Sequence, residues 1–310
     1  MKDTPEQMSR RALLRGGAGT CLAGGLLASS PARAGEDEAA GGKGADAPRE
    51  FRLGLVTEGV AADWTLEEML LKYERFGFDA AGVVLGRGHG ISLEANFDAR
   101  RQFLERTTNK TDVDLFSIET PCTLDPATAE AHVALAAEHA LLAFETNTEG
   151  IVVRPCAEIG DGQPASAKRV DEAGDVLKAM AEAAAAHDRE IWLEMSGDAP
   201  GLPATLRKIV ERCDHPAAGI AWNCRIADVR GGSVAGAFDE VREHLRCVHL
   251  GELWTAYPYA DLFRLLRESG YDRYTLARIP ATPDPERVLR YYRRLWEALS
   301  APGVAAPGDR

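Results

Sequence analysis

Eight polar side chains close short apolar runs in this sequence: Glu58, His89, Glu119, Arg154, Glu194, Asn223, His249 and Arg278. Carboxylates and imidazoles can take and return protons or ligate a divalent cation, while guanidiniums hold anions and hydroxyl groups. Brought to one rim, this set would make an active or binding site. Polar residues also gather wherever a strand gives way to a loop, so the elements that carry them decide the matter.

The pattern that must position them alternates along the chain. Apolar runs of strand length occur at 53–57 (LGLVT), 80–85, 113–119, 150–154, 190–194, 219–223, 246–250 and 274–278. Each is followed by a stretch of helical period, at 93–106, from about 126, and at 171–187, 203–213, 234–244, 260–269 and 284–299, after a first helix opened by Thr65-Leu66-Glu67-Glu68 in capping-box form. Eight strand–helix units in about 250 residues predict a single closed (β/α)8 barrel, with chemistry at the carboxyl ends of its strands. An open doubly wound sheet is the alternative, and eight consecutive units fit it less well. No dinucleotide or phosphate-loop fingerprint follows any strand, and Gly86-Arg87-Gly88-His89-Gly90 lacks the required spacing.

The 310 residues are 45% hydrophobic and 27% charged, an ordinary globular composition. A formal charge of −12 repels phosphate backbones and anionic lipids, which argues against nucleic-acid partners and against membrane insertion of the mature chain. Cys122, Cys156, Cys213, Cys224 and Cys247 show no CxxC spacing, so they read as buried thiols, with no disulfide framework or zinc ribbon. His132 and His139, seven apart, read as a helical face. Trp222, next to an inward Asn223, is expected to point out toward the helices. Trp254 and Tyr257, in the loop after His249, could stack on a sugar or pack the loop.

The first residues carry a different signal. Ser9-Arg10-Arg11-Ala12-Leu13-Leu14-Arg15 resembles the twin-arginine export motif, a Gly/Ala/Leu run follows, and Ala32-Arg33-Ala34 has the form of a cleavage site. The expected organisation is a signal peptide at 1–34, a flexible tether at 35–49, the barrel at 50–300 and a disordered tail at 301–310. The expected location is periplasmic or extracellular. Residues 1–34 carry five basic and two acidic side chains, so cleavage would take the formal charge from −12 to −15.

The last four strands resemble those of the xylose-isomerase-like barrels, the sugar phosphate isomerase and epimerase superfamily. Ile191-Trp192-Leu193-Glu194 is similar to that family's strand ending in a metal-binding Glu, and Gly219-Ile220-Ala221-Trp222-Asn223 to the next, which normally ends in Asp. Cys247-Val248-His249-Leu250 is similar to the strand bearing a ligand His. The segment from Gly270 to Arg278 (GYDRYTLAR) is similar to the strand whose final Glu is both ligand and base. The resemblance implies Glu194 and His249 as catalytic residues and Glu194, Asn223 and His249 as ligands of a divalent cation, Mn or Mg. It implies a small carbohydrate-like ligand, with Glu58, His89, Glu119, Arg154, Trp254 and Arg278 as binding residues.

Two positions depart from the pattern. Asn223 offers a neutral oxygen where Asp is usual. Arg278 stands in the second Glu position, where a guanidinium can neither bind a cation nor act as a base. The metal site is therefore expected to be degraded, with Arg278 pairing with Glu194 in the cation's place. The strand 274–278 contains no acid, and the next, Asp284, lies beyond Pro280 and Pro283. Two functions follow: an isomerase- or epimerase-like barrel acting on or binding a carbohydrate or polyol, and a non-catalytic barrel that binds a sugar or another partner. Phosphodiester cleavage by a His-rich metal cluster is excluded by seven histidines placed mostly on helices and by the net charge.

Overall fold

A computed structural model describes residues 51–60, 64–85, 96–161 and 164–303. The predicted leader and tether, His89 and residues 304–310 lie outside the described residues. Eight strands alternate with helices: β1 (Arg52–Val56), β2 (Ala80–Val84), β3 (Asp114–Thr123), β4 (Gly150–Arg154), β5 (Glu190–Glu194), β6 (Ala218–Asn223), β7 (Leu245–Leu250) and β8 (Tyr274–Ala277). Each pairs in parallel with the next, and β8 closes on β1. The helices around them are α1 (Leu66–Phe76), α2 (Phe97–Thr108), α3 (Ala129–Glu145), α4 (Ala157–Gly160), α5 (Ala167–Ala185), α6 (Leu202–Cys213), α7 (Ala235–Val241), α8 (Tyr259–Glu268) and α9 (Pro285–Ser300). The expected closed (β/α)8 barrel is the observed fold.

Local rules set the boundaries. The capping box of α1 forms as read, with Thr65 Oγ1 accepting from the Glu68 amide and Glu68 accepting from the Thr65 amide (2.9 Å). Gly77 ends that helix in the left-handed region, at φ 79°. Among the described residues no helix is long and apolar enough to cross a membrane.

Side chains divide into two apolar layers. The larger lies between sheet and helices and contains Trp222, which packs on Phe238 of α7 and donates to the Tyr257 hydroxyl (3.1 Å), as its outward position predicted. The smaller fills the barrel and is centred on Phe116, Trp192 and Tyr274, with ring centroids 4.9 Å apart for both Phe116 pairs. Gly150 starts β4 because a Cβ there would come within 2.3 Å of the Trp192 ring. This aromatic floor divides the barrel into a lower end, at the strand starts, and a mouth at their carboxyl ends.

A bulge in β3 has consequences for the mouth. Ala81 pairs with Leu115 but Gly82 pairs with Ser117, so Phe116 is an extra residue. Strict alternation from Phe116 would point Glu119 outward. With the bulge, Phe116 joins the floor, Leu115 and Ile118 face the helices, and Ser117 and Glu119 face the barrel axis.

Candidate active site

Four strand ends deliver polar groups to one point above the floor: the buried Glu119 from β3, Glu194 from β5 and His249 from β7, and the half-buried Arg278 just past β8. The Arg278 guanidinium stands between the two carboxylates. Its Nη2 donates to Glu119 Oε2 at 2.5 Å, and its Nη1 lies 2.7 Å from Glu194 Oε1. The expected Glu194–Arg278 ion pair is present, and Glu119 extends it to a bridge across the barrel. Gly82 gives Glu119 room, because a Cβ there would approach Ser117 Oγ at 2.7 Å and Glu119 Oε1 at 3.3 Å.

His249 completes the cluster. Its Nε2 faces Glu119 Oε1 at 3.2 Å, and its Nδ1 faces Asn223 Oδ1 at 3.1 Å and Glu194 Oε1 at 3.5 Å. Every neighbour on both ring nitrogens but one is an oxygen acceptor, which suits a doubly protonated ring; the exception is Cys247 Sγ, 3.6 Å from Nε2. Burial opposes the imidazolium, but Cys247 and the Glu119 charge outweigh it and hold the His249 pKa well above its ordinary value.

The carboxylates move the other way. Burial raises both, yet His249 and Arg278 more than offset it, so Glu119 and Glu194 are held below the usual carboxylate range. Burial works against the charge on Arg278 too, and Glu119, Glu194 and Glu58 overcome it, so the guanidinium stays protonated. The centre of the mouth is thus two buried anions, a buried imidazolium and a half-buried guanidinium. Polar satisfaction is incomplete: Glu194 Oε1 and Arg278 Nε are buried without a hydrogen bond, although Oε1 holds its ion-pair contact with Arg278.

The remaining predicted site residues surround this core unevenly. Arg154, 45% exposed, reaches Glu194 Oε2 at 3.3 Å, so Arg154 pairs with Glu194 while Glu119 pairs with Arg278. Glu58 is half-buried and near enough to act on Arg278. Trp254 is 51% exposed, edge-on to Tyr292 of α9, whereas Tyr257 is buried and serves loop packing. His139 is buried in α3, and His132 Nδ1 meets Thr123, so neither joins the site. All five described cysteines are free thiols. Ser117, whose hydroxyl donates to Glu119 (2.9 Å), and Cys247 belong to the site without having been read as such. Their inward positions depend on where bulges shift the strands.

The donor chemistry allows a metal. One atom each from Glu119, Glu194 and His249 lie within 4.8 Å of one another, a set that could hold a divalent ion. Glu119 stands in this set, while the Asn223 oxygen faces His249. An ion there would require a neutral His249 and would displace Arg278 from both carboxylates.

No protein-family model matches the chain, and no curated protein matches it in sequence. Solved structures do match in fold. A xylose isomerase domain protein from Planctomyces limnophilus is similar over 81% of this chain and 97% of its own, with TM-score 0.61 at 16% identity. The 3-keto-D-glucoside 4-epimerase from E. coli is similar over 81% and 99%, with TM-score 0.63 at 15% identity. The IolI protein, solved with a bound zinc atom, is similar over 81% and 98%, with TM-score 0.64 at 11% identity. These structures share with this chain the closed (β/α)8 barrel over most of their length.

Proposed function

We propose that this chain is a sugar isomerase- or epimerase-like barrel that acts on or binds a carbohydrate or polyol at its mouth, with the Arg278 guanidinium in place of a divalent cation. The observation that carries this is the bridge from Arg278 to both Glu119 and Glu194. A guanidinium so placed supplies fixed positive charge where a metal would otherwise balance the carboxylates. It is also a donor toward a substrate carbonyl or hydroxyl oxygen, because its side chain stays 26% exposed at the mouth. Arg154, half-exposed above Glu194, is placed to take a ligand hydroxyl. The solved epimerase of a keto-glucoside with the same fold supports a carbohydrate as the ligand class.

The non-catalytic reading is favoured by one specific feature. A general base works best with a pKa near the working pH, and both carboxylates are held low by adjacent cations. Turnover then requires substrate binding to pull Arg278 off one of them. Without that displacement the mouth recognises a sugar and leaves it unchanged.

Metal analysis of the purified protein tests the central claim. The expected result is no stoichiometric divalent ion and a melting temperature unaffected by chelator. A metal at a hundred times its dissociation constant would add about 2.7 kcal/mol. That is a shift of roughly a few degrees in a domain of this size. The double change Asn223→Asp with Arg278→Glu should create such a metal-dependent shift. A stoichiometric ion in the unaltered protein, with several degrees lost to chelator, would overturn the proposal. We place the protein outside the cytoplasm on its Arg10-Arg11 leader; protein recovered from the cell envelope should begin at Gly35.

A further inference from the structure

A second concave site lies on the outside of the barrel, between the end of α1 and the second half of α9. Gly77, which caps α1, leads directly into β2, so this groove is at the lower end, opposite the mouth. Its volume is about 600 Å³, within the usual range for a small-molecule site. Four guanidiniums line it, those of Arg75, Arg290, Arg293 and Arg294, against the single carboxylate of Glu297. Such a concentration of positive charge is unexpected in a chain of formal charge −12.

Structural roles account for only part of it. Arg293 donates Nε to Glu297 (2.9 Å), donates Nη1 to the Gly77 carbonyl and lies 3.8 Å from Asp79. Arg294 shares the same Glu297 (2.9 Å). Arg75 and Arg290 form no ion pair among the described residues. Both instead sit by the Phe76 ring, 5.6 and 5.9 Å from its centroid, with Arg290 Nε donating to the Glu286 carbonyl (3.3 Å) and the Glu286 carboxylate, held by Lys72, acting on both only at longer range. Tyr291, 66% exposed, adds a ring to the same groove.

We infer that this groove binds a soluble ligand carrying paired phosphate groups. Guanidinium forks match phosphate oxygens two at a time. A ligand with two phosphates can neutralise both Arg75 and Arg290, whereas a single carboxylate cannot. The concavity fits a compact ligand better than a flat lipid surface. The inference is independent of what the mouth does.

Calorimetric titration of the full chain with pyrophosphate, at low ionic strength, tests it. The expected result is one saturable site that weakens with added salt. The Arg75→Gln/Arg290→Gln double variant should bind at least about tenfold more weakly, as loss of two charge-assisted contacts implies. Both residues are exposed, so its melting temperature should be unchanged. Arg154→Gln, at the mouth, should bind like the unaltered protein. Absence of saturable binding would overturn the inference. So would binding lost in Arg154→Gln but kept in the double variant, or binding only to vesicles of anionic phospholipid.

Discussion

The two ends of the barrel each hold an arginine against carboxylate, and they do so differently. At the lower end Arg273 makes two parallel bonds to Glu190, at 2.7 and 2.8 Å, and Trp192 adds a third at 2.6 Å. Tyr274 donates to Asp114 (2.7 Å) beside them. Those side chains keep about a quarter of their surface in water, with Arg273 at 27% and Glu190 at 28%. At the mouth one guanidinium, close to Arg273 in exposure at 26%, is divided between two carboxylates exposed by only 3% and 1%, and polar atoms on both partners lack hydrogen bonds. The lower network is a closed plug. The mouth is an open account, in which buried polar groups are left for something else to satisfy.

The largest test of that contrast is to remove each arginine. Arg278→Ala would leave two buried carboxylates facing each other, and urea denaturation should show a loss of about 3–5 kcal/mol. Arg273→Ala removes a partner from a carboxylate that water still reaches, and should lose about 1–3 kcal/mol. Equal losses would erase the distinction between plug and site.

A smaller effect should appear with pH. Glu119 and Glu194 have folded pKa values below the ordinary 4.5, so their stabilisation is complete above that value and is lost as pH falls through the folded values. His249 is raised above 6.5, so its contribution is complete below 6.5 and is lost as pH rises through the folded value. The mouth should therefore favour folding most between about pH 4.5 and 6.5, and His249→Gln should abolish the alkaline decline in a melting-temperature series. An alkaline decline that survives in this variant would place its origin elsewhere. The smallest effect is expected from Ser117→Ala, about 1 kcal/mol for one buried hydroxyl donor to Glu119. Chemical denaturation of that variant sharpens the comparison, because no loss would mean that Arg278 and His249 alone fix the Glu119 carboxylate.

Much of this was legible in the sequence. Strand identity followed from short apolar runs bounded by helical periods, and the closed barrel from their number. The Glu194–Arg278 pair followed from opposite charges at two strand ends that converge in such a barrel. Glu119 was visible as a rim residue, but its place between Arg278 and His249 was not. That depends on the extra residue Phe116, and a bulge in β3 leaves no trace in hydropathy alternation. The lower network was illegible for a related reason. Glu190 and Arg273 sit at strand starts, where charged residues ordinarily read as solvent-facing, and only barrel closure brings them together.

The β3 bulge also makes the chain unequally tolerant of changes in length. Loops around a barrel usually absorb insertions and deletions, since they leave the strand phase intact. Losing Phe116 would leave Leu115 toward the helices and Ser117 and Glu119 toward the axis in strict alternation, so the carboxylate would keep its place while the floor lost one of its three rings. Straightening the strand with Phe116 retained in the ladder would instead send Ile118 into the mouth and Glu119 toward the helices. The bulge is therefore what lets one strand supply both the floor and the carboxylate above it.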